Sequence, residues 1–364
     1  MRRPRRTRTR TTIKDVARVA KVSLGTVSRV VNHHASVDPK TRRRVTRVMA
    51  ELGYAPNAVA QSMRTMVTRT VGFVVPDISN PNWSCILRAT SEMLQRQGYT
   101  VVLASTGGER SAELDALAAF TRRRTDALIV ALDTVDAATL RQSLAHLAVP
   151  VVMLERELGD GWDAVLTDHA GGAHAATRHL LGLGHRRIAL ITSAPSVRPG
   201  GERVQGYRRA YAEAGVAVQP DLLRCGSFDP DFAFRETSTL LSRRDPPTAI
   251  IAGGIQLLAG VLRAAGLHGF AIPSRLSVVS CGDTDLAQLA SPPVTVARWD
   301  VTALGVAAAE AVLRRLQGTA DAAPSRVLLE SELVLRQSCA APPVLWRKRR
   351  PRGNVSLTRA AALH

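Results

Sequence analysis

From Thr70 onward, short runs of consecutive apolar residues alternate with longer stretches of mixed character: TVGFVV (70–75), YTVVLA (99–104), ALIVAL (127–132), PVVMLE (150–155), AVLT (164–167), RRIALIT (186–192), TAIIA (248–252) and LSVVS (276–280). Runs this short and rich in β-branched residues read as strands buried on both faces. Helix-length segments between them imply parallel pairing, with helices covering the sheet. Eight such strands exceed one compact sheet for a segment of this size, so the pattern predicts two doubly wound parallel-sheet lobes. Ligands of such folds sit beyond the carboxyl ends of the strands, which between two lobes means the interlobe cleft.

The first 55 residues carry a helical period instead. Thr12 followed by Asp15 is an N-cap signal, and Val16, Ala17 and Ala20 share one face of a helix over 12–20. Ser23 caps a second helix whose inward stripe is Val27, Val30 and Val31, only three or four residues after the first. Asp38-Pro39 starts a third, with Val45, Val48, Met49 and Leu52 as its apolar face until Gly53 ends it. Two short helices joined by so tight a turn make a helix-turn-helix, whose second helix enters a DNA major groove. Gly25 then has a purpose: it weakens the helix by up to ~1 kcal/mol relative to alanine but removes the side chain where a duplex approaches most closely. Leu24 suits a thymine methyl, Thr26 and Ser28 a phosphate or base, and Arg29 a guanine. Thr26 and Ser28 fit ordinary surface positions equally well.

Charge sharpens this picture. The chain of 364 residues has a formal net charge of +19, yet residues 1–69 hold 17 Lys/Arg against 3 Asp/Glu, and residues 341–364 hold 6 against none. The body between them is close to neutral. A basic head and tail on a neutral body point to a polyanionic partner, nucleic acid before membrane, because no basic amphipathic helix of the lipid-binding kind accompanies them. The cysteines at 85, 225, 281 and 339 are far apart with no CxxC pair, and they read as small core residues, neither a zinc site nor a disulfide framework. No apolar run reaches membrane-spanning length and no signal-peptide pattern follows the Arg-rich start, so a cytoplasmic location is expected. His169, His174, His179 and His185 recur at five- or six-residue steps, which do not stack on one helix face as metal ligands; they are expected at helix surfaces and loops. GxSxG, GxxxxGK[ST] and strand-linked GxGxxG motifs are lacking, so no enzyme and no cofactor is expected.

The segments TTIKDVARVAKVSLGTVSRVVN (11–32), VDPKTRRRV (37–45) and MAELGYAPNAVAQSM (49–63) resemble the head of the lactose-repressor family of bacterial transcription regulators. The likeness continues more loosely to about residue 340, through PDISNPNW, ER (155–156), TDHAGGAHAATRHLLGLGHRRIALI and ERVQGY. It implies the two-lobed architecture of periplasmic sugar-binding proteins behind the DNA-binding head. It also implies a DNA-facing set of Thr12, Ser23, Leu24, Gly25, Thr26, Ser28, Arg29 and Asn32. The match to Pro56–Arg64 implies a hinge helix whose Asn57, Ala60 and Met63 meet the minor groove. Nine residues are too few for a stable isolated helix, so this hinge should order only with DNA and a second copy. By the same resemblance Trp83 or Asn82, Glu155, Arg203, Phe228 and Asp283 contact the effector, although Trp83 and Phe228 fit plain core packing as well. Two departures stand out: Gly253-Gly254 replaces the family's Asn-Asp, and Ser280-Cys281-Gly282-Asp283 replaces Gly-Phe-Asp-Asp. Either the ligand differs from the usual sugar or none is bound.

The expected organisation is a basic disordered arm (1–11), the helix-turn-helix (12–55), a hinge and linker (56–69) and the body (70–340). The body divides into one lobe of about 70–168 with 299–329 and another of about 169–298 with 330–340, and a basic tail (341–364) follows. The function expected is that of a homodimeric regulator, a repressor, that binds a pseudo-palindromic duplex operator and answers to a sugar or sugar-like effector in the cleft. An effector-blind architectural DNA binder and a solute receptor are the alternatives.

Overall fold

Contacts in the computed structural model divide the chain into two units, one ending at Arg69 and one beginning at Thr70. Residues 11–32, 34–54, 67–145, 147, 149–318 and 323–343 are described by the structure. Asn57, Ala60 and Met63 of the expected hinge, the arm 1–10 and the tail from 344 lie outside them.

In the first unit, capping chemistry sets each helix start. Thr12 and Asp15 form a reciprocal capping box at α1 (Ile13–Ala20). The Ser23 hydroxyl accepts from the Thr26 amide, 3.1 Å away, at α2 (Leu24–Val31). The Asp38 carboxylate accepts from the Thr41 amide at 2.8 Å, ahead of Pro39 in the first turn of α3 (Pro39–Glu51). Lys21 makes the turn between α1 and α2 in left-handed backbone, φ 52°. The apolar stripes then meet around Val16, Val27 and Val45, all fully buried.

The second unit runs β1 (Thr70–Val75), α4 (Pro81–Arg96), β2 (Thr100–Ser105), α5 (Arg110–Arg123), β3 (Ala127–Val130), α6 (Ala137–Ala145), β4 (Val151–Leu154) and β5 (Asp163–Thr167). It continues with α7 (His169–Gly182), β6 (Ile188–Ser193), α8 (Arg198–Glu213), β7 (Leu223–Gly226), α9 (Pro230–Leu241), β8 (Ala249–Gly253), α10 (Ile255–Leu267), β9 (Ser277–Cys281) and α11 (Asp285–Leu289). Last come β10 (Thr295–Arg298), α12 (Val301–Leu316), β11 (Arg326–Leu329) and β12 (Glu332–Val334). Two six-stranded sheets result, ordered β11-β5-β4-β3-β1-β2 and β12-β10-β9-β8-β6-β7, parallel except for the β10–β12 pair. Each buries apolar side chains on both faces, as continuous apolar runs require. The chain passes between lobes after β5, after β10 and between β11 and β12. All eight strands read from the apolar runs are present. The sequence reading missed β7, β10, β11 and β12, which are only three or four residues long; β7 and the exposed β11 and β12 pack too little apolar surface to mark them.

At three tightly packed helix pairs, α7 with α8, α9 with α10 and α4 with α12, a glycine sits at the crossing. A Cβ added at Gly206 would lie 2.1 Å from the Ala170 carbonyl oxygen, at Gly260 2.1 Å from that of Pro230, and at Gly305 2.5 Å from that of Ile86. Backbone cannot swing aside as a side chain can, so these glycines set how closely the helices lie. Gly266, on the same helix as Gly260, has nothing within 4 Å. Gly260→Ala is therefore expected to destabilise the body by about 1–3 kcal/mol through forced separation, whereas Gly266→Ala stabilises it by about 0.4–1 kcal/mol. Urea unfolding followed by circular dichroism should show the two midpoints moving in opposite directions.

Candidate functional site

The head presents one polar face. Leu24 is 45 % exposed, and Gly25 and Arg29 are exposed beside it. Ser23 and Thr26 share a hydroxyl contact of 2.9 Å, and the Asn32 amide donates to the Ser28 carbonyl at 2.6 Å, so the polar groups are held in place. Ser23, Thr26 and Arg29 border a shallow depression with Asp38 and Thr41. A Cβ at Gly25 would meet only Ser23 Oγ, at an ordinary 3.7 Å. Nothing inside the head calls for a glycine there. Thr12 is occupied differently, its hydroxyl donating to Asp15 Oδ2 at 2.7 Å within the capping box.

In the second unit a cavity of about 650 Å³ lies between the lobes. Its walls are residues that follow β1, β2, β3 and β4 in one lobe and those at the carboxyl ends of β6, β7, β8 and β9 in the other, where doubly wound folds place ligands. Asn82, Trp83, Glu155, Arg203 and Phe228 all line it. Asp283 is the exception. Arg336 grips its carboxylate through two bonds of 2.9 and 2.5 Å, so the expected ligand contact is instead one half of a structural ion pair outside the cavity wall.

A chain of buried hydrogen bonds crosses the lobes beneath this cavity. Glu155 follows β4 in left-handed backbone, φ 57°, a conformation that costs a non-glycine residue about 1–3 kcal/mol. Its carboxylate accepts from Thr167 Oγ1, from Arg198 Nη1 at 3.1 Å, and from His169 Nε2 at 2.9 Å. Arg203 Nη2 lies 3.2 Å from His169 Nδ1, and Arg203 Nη1 donates to the Gly253 carbonyl at 2.8 Å. A guanidinium can only donate, so Nδ1 is the acceptor and the ring proton sits on Nε2, facing Glu155. His169 is thereby a neutral imidazole of fixed tautomer. Burial pushes its pKa below the ordinary value; Glu155 opposes that and Arg203 adds to it. Burial pushes Glu155 upward, but the hydrogen bonds from His169 and Thr167 and the Arg198 charge outweigh it and hold the carboxyl below its ordinary value. The expectation that these histidines lie on helix surfaces and loops fails for His169; His185 is in the loop after α7, as expected, but buried between Thr248 Oγ1 and the Ala340 carbonyl at 2.8 Å each. A second bridge closes the rim: Gln256 donates to Asp77 at 3.1 Å and its oxygen lies 3.4 Å from Asn80 Nδ2.

One lining residue the sequence reading missed is Asp133. The fully buried Glu113 carboxylate accepts from the amides of Asp133 and Val135, each at 2.9 Å, and from that of Thr134 at 3.3 Å. Arg156 donates to the carbonyls of Leu132 (2.6 Å) and Val135. The turn after β3 is thus trussed by both charges, and it presents Asp133 to the cavity. Burial, and then the Glu113 charge, raise the Asp133 carboxyl to about 6. The family departures have a steric counterpart. A Cβ at Gly253 would lie 2.7 Å from Thr192 Cβ, one at Gly254 2.8 Å from Phe228, and one at Gly282 2.4 Å from Ile255. Phe228, Thr192 and Ile255 fill the volume that larger side chains would need.

Residues 177–339 match the model of the periplasmic binding protein-like domain, and residues 12–57 match that of bacterial regulatory proteins of the lacI family. The HTH-type transcriptional regulator DegA of Bacillus subtilis (strain 168) is 31 % identical, over 90 % of this chain and 98 % of its own. Among solved structures, the lac repressor dimer bound to operator and the anti-inducer ONPF is 29 % identical with a TM-score of 0.82, covering 92 % of this chain and 100 % of that one. The transcriptional regulator CelR in its complex with cellobiose is 31 % identical with a TM-score of 0.69, covering 90 % and 100 %. Likeness of this extent through head and body alike places the chain in the lacI family of bacterial regulatory proteins.

Proposed function

We propose that this protein is a DNA-binding transcriptional regulator, a repressor, that works as a homodimer on a pseudo-palindromic operator under the control of a small molecule in the interlobe cavity. One observation carries the reading: a single chain joins an exposed helix-turn-helix face to a cavity walled by both lobes. Leu24, Gly25, Thr26, Ser28 and Arg29 of α2 are the proposed base- and phosphate-contacting group, with Thr12, Ser23 and Asn32 holding the helix ends. Asn57, Ala60 and Met63 are proposed minor-groove contacts. No helix among the described residues is long and apolar enough to cross a membrane. A cytoplasmic location accords with DNA as the partner, and the activity proposed is regulatory, not catalytic.

Because the cavity walls belong to two lobes, a ligand that bridges them favours one lobe arrangement over another. It shifts operator affinity only by its differential affinity for the two. A difference of ~2.8 kcal/mol changes operator affinity about a hundredfold, within the ordinary range of such couplings. The effector-blind alternative drew on the missing side chains at Gly253, Gly254 and Gly282. Asp133, Asn82 and Asp77 line the same cavity and offer polar partners from the other lobe, which favours a sensing role.

Gly25→Ala separates the two roles of α2. The head should gain up to ~1 kcal/mol, because the new methyl meets nothing closer than 3.7 Å inside it, while operator affinity falls about tenfold. Thermal unfolding and fluorescence anisotropy on a selected duplex measure the two effects, and unchanged affinity would remove close approach as the reason for the glycine. Asp133→Asn tests the cost of holding a carboxyl in the cavity for a ligand. A folded pKa of about 6, raised from 3.8, means its burial costs nothing below pH 3.8 and costs progressively more as pH rises through 6. The asparagine variant should therefore be more stable than the parent, by on the order of 2 kcal/mol above pH 7, an advantage that shrinks toward zero near pH 4 in urea titrations.

A further inference from the structure

Several buried polar atoms among the described residues of the second lobe have no hydrogen-bond partner, and two of them belong to residues that line the cavity: Ser193 Oγ and Arg203 Nε. Their residues are 2 % and 3 % exposed, and both line the cavity. Among the described residues no carboxylate forms an ion pair with Arg203: it bonds the Gly253 carbonyl and the neutral His169, lies over the Phe228 ring and beside Cys281, and feels Glu155 and Glu202 only from a distance. That leaves a buried guanidinium with one N–H unpartnered and no ion pair, a position that an anion completes.

The surroundings are arranged as donors. Ser193 ends β6, the strand with β7 on one side and β8 on the other, so it stands at the switch point of the second sheet. The following loop enters α8, a helix of 16 residues whose N-cap, Val197, supplies no side-chain cap. Pro199 has no N–H, so the amides of Arg198 and Gly200 and the positive end of the dipole are what this turn offers an anion. Gly200 brings this turn against β6, since a Cβ there would lie 2.5 Å from Ser193 Oγ. On the acidic side, Gly282 stands where the family has an aspartate, and Ile255 leaves no room to restore it. The carboxyls that line the cavity, Asp77, Asp133 and Glu155, belong to the other lobe, apart from Asp229, which caps α9.

We propose that the Ser193–Arg203 corner at the start of α8 is an oxyanion subsite, and that the effector carries a carboxylate or phosphate group there. The ring of such a ligand meets Trp83 and Phe228, and its hydroxyls face Asp133. The inference rests on the cavity being the effector site.

Trp83 and Trp299 line the cavity, so tryptophan fluorescence of the full chain reports its occupancy. Inorganic phosphate, glucose 6-phosphate, glucuronate and glucose are titrated separately at constant ionic strength, with chloride as the control. Phosphate and at least one of the two anionic sugars should give a saturable change at millimolar concentration or below, at least tenfold tighter than glucose, and whichever of the sugars binds tighter identifies the oxyanion as phosphate or carboxylate. Ser193→Ala should weaken phosphate about tenfold, equivalent to ~1.4 kcal/mol, and Ser193→Glu should abolish its binding, with circular dichroism reporting that both variants are folded. A phosphate response that matches chloride, glucose binding as tight as the anionic sugars, or an unaltered Ser193→Ala variant would overturn the subsite. A neutral sugar that binds tightly and alters operator affinity sinks the oxyanion subsite and leaves the regulator reading standing. An oxyanion that fills the cavity without altering operator affinity does the reverse.

Discussion

The line from Glu155 through His169 and Arg203 to the Gly253 carbonyl is the constraint on which the body depends. It begins on the strand end of one lobe and finishes on the strand end of the other, with His169 and Arg203 buried and Glu155 nearly so. In a low-dielectric interior such bonds are stronger than in water, and a missing member leaves its neighbours unsatisfied at a cost of about 1–3 kcal/mol or more. The chain also has direction. Arginine donates, so histidine must accept on one nitrogen and donate from the other, and the carboxylate must stay ionised to receive it. Three protonation states are thereby settled by one geometric arrangement.

The cavity is the counterpart of that rigidity. Its first-lobe wall carries carboxyls, of which Asp133 is held out on a turn trussed by Glu113 and Arg156, and its second-lobe wall carries donors. Burial and the neighbouring Glu113 charge disfavour the ionised Asp133 there, a cost that a ligand bound at this carboxyl would offset. Stability given up at a site and retained elsewhere is the common pattern for binding surfaces. Here the reserve is visible in the glycine crossings and the continuous apolar strands around the site.

The head works by a different economy. Among the described residues its core is eight small buried side chains, and its stability leans on caps at Thr12, Ser23 and Asp38. What it presents outward, an exposed leucine and a glycine that its own packing does not require, is unfavourable for an isolated bundle. It becomes intelligible once a duplex covers that face.

Local chemistry was legible in the chain alone. Capping residues, helical stripes and continuous β-branched runs act over a few neighbours, so three helices of the head, eight strands of the body and the cleft-facing role of Glu155, Arg203 and Phe228 could be read or carried over without coordinates. Tertiary structure decided whatever depends on partners far along the chain. Asp283 looked free until Arg336, 53 positions away, was seen to hold it. His169 looked like a surface residue because its neighbours at positions 155 and 203 are on no common element. Asp133 gave no signal, since its environment is made by a helix 20 residues earlier and a strand end 23 residues later. The edge strands β11 and β12 were invisible for the same reason: a strand of three or four residues exists through the ladder of its neighbour, not through its own sequence.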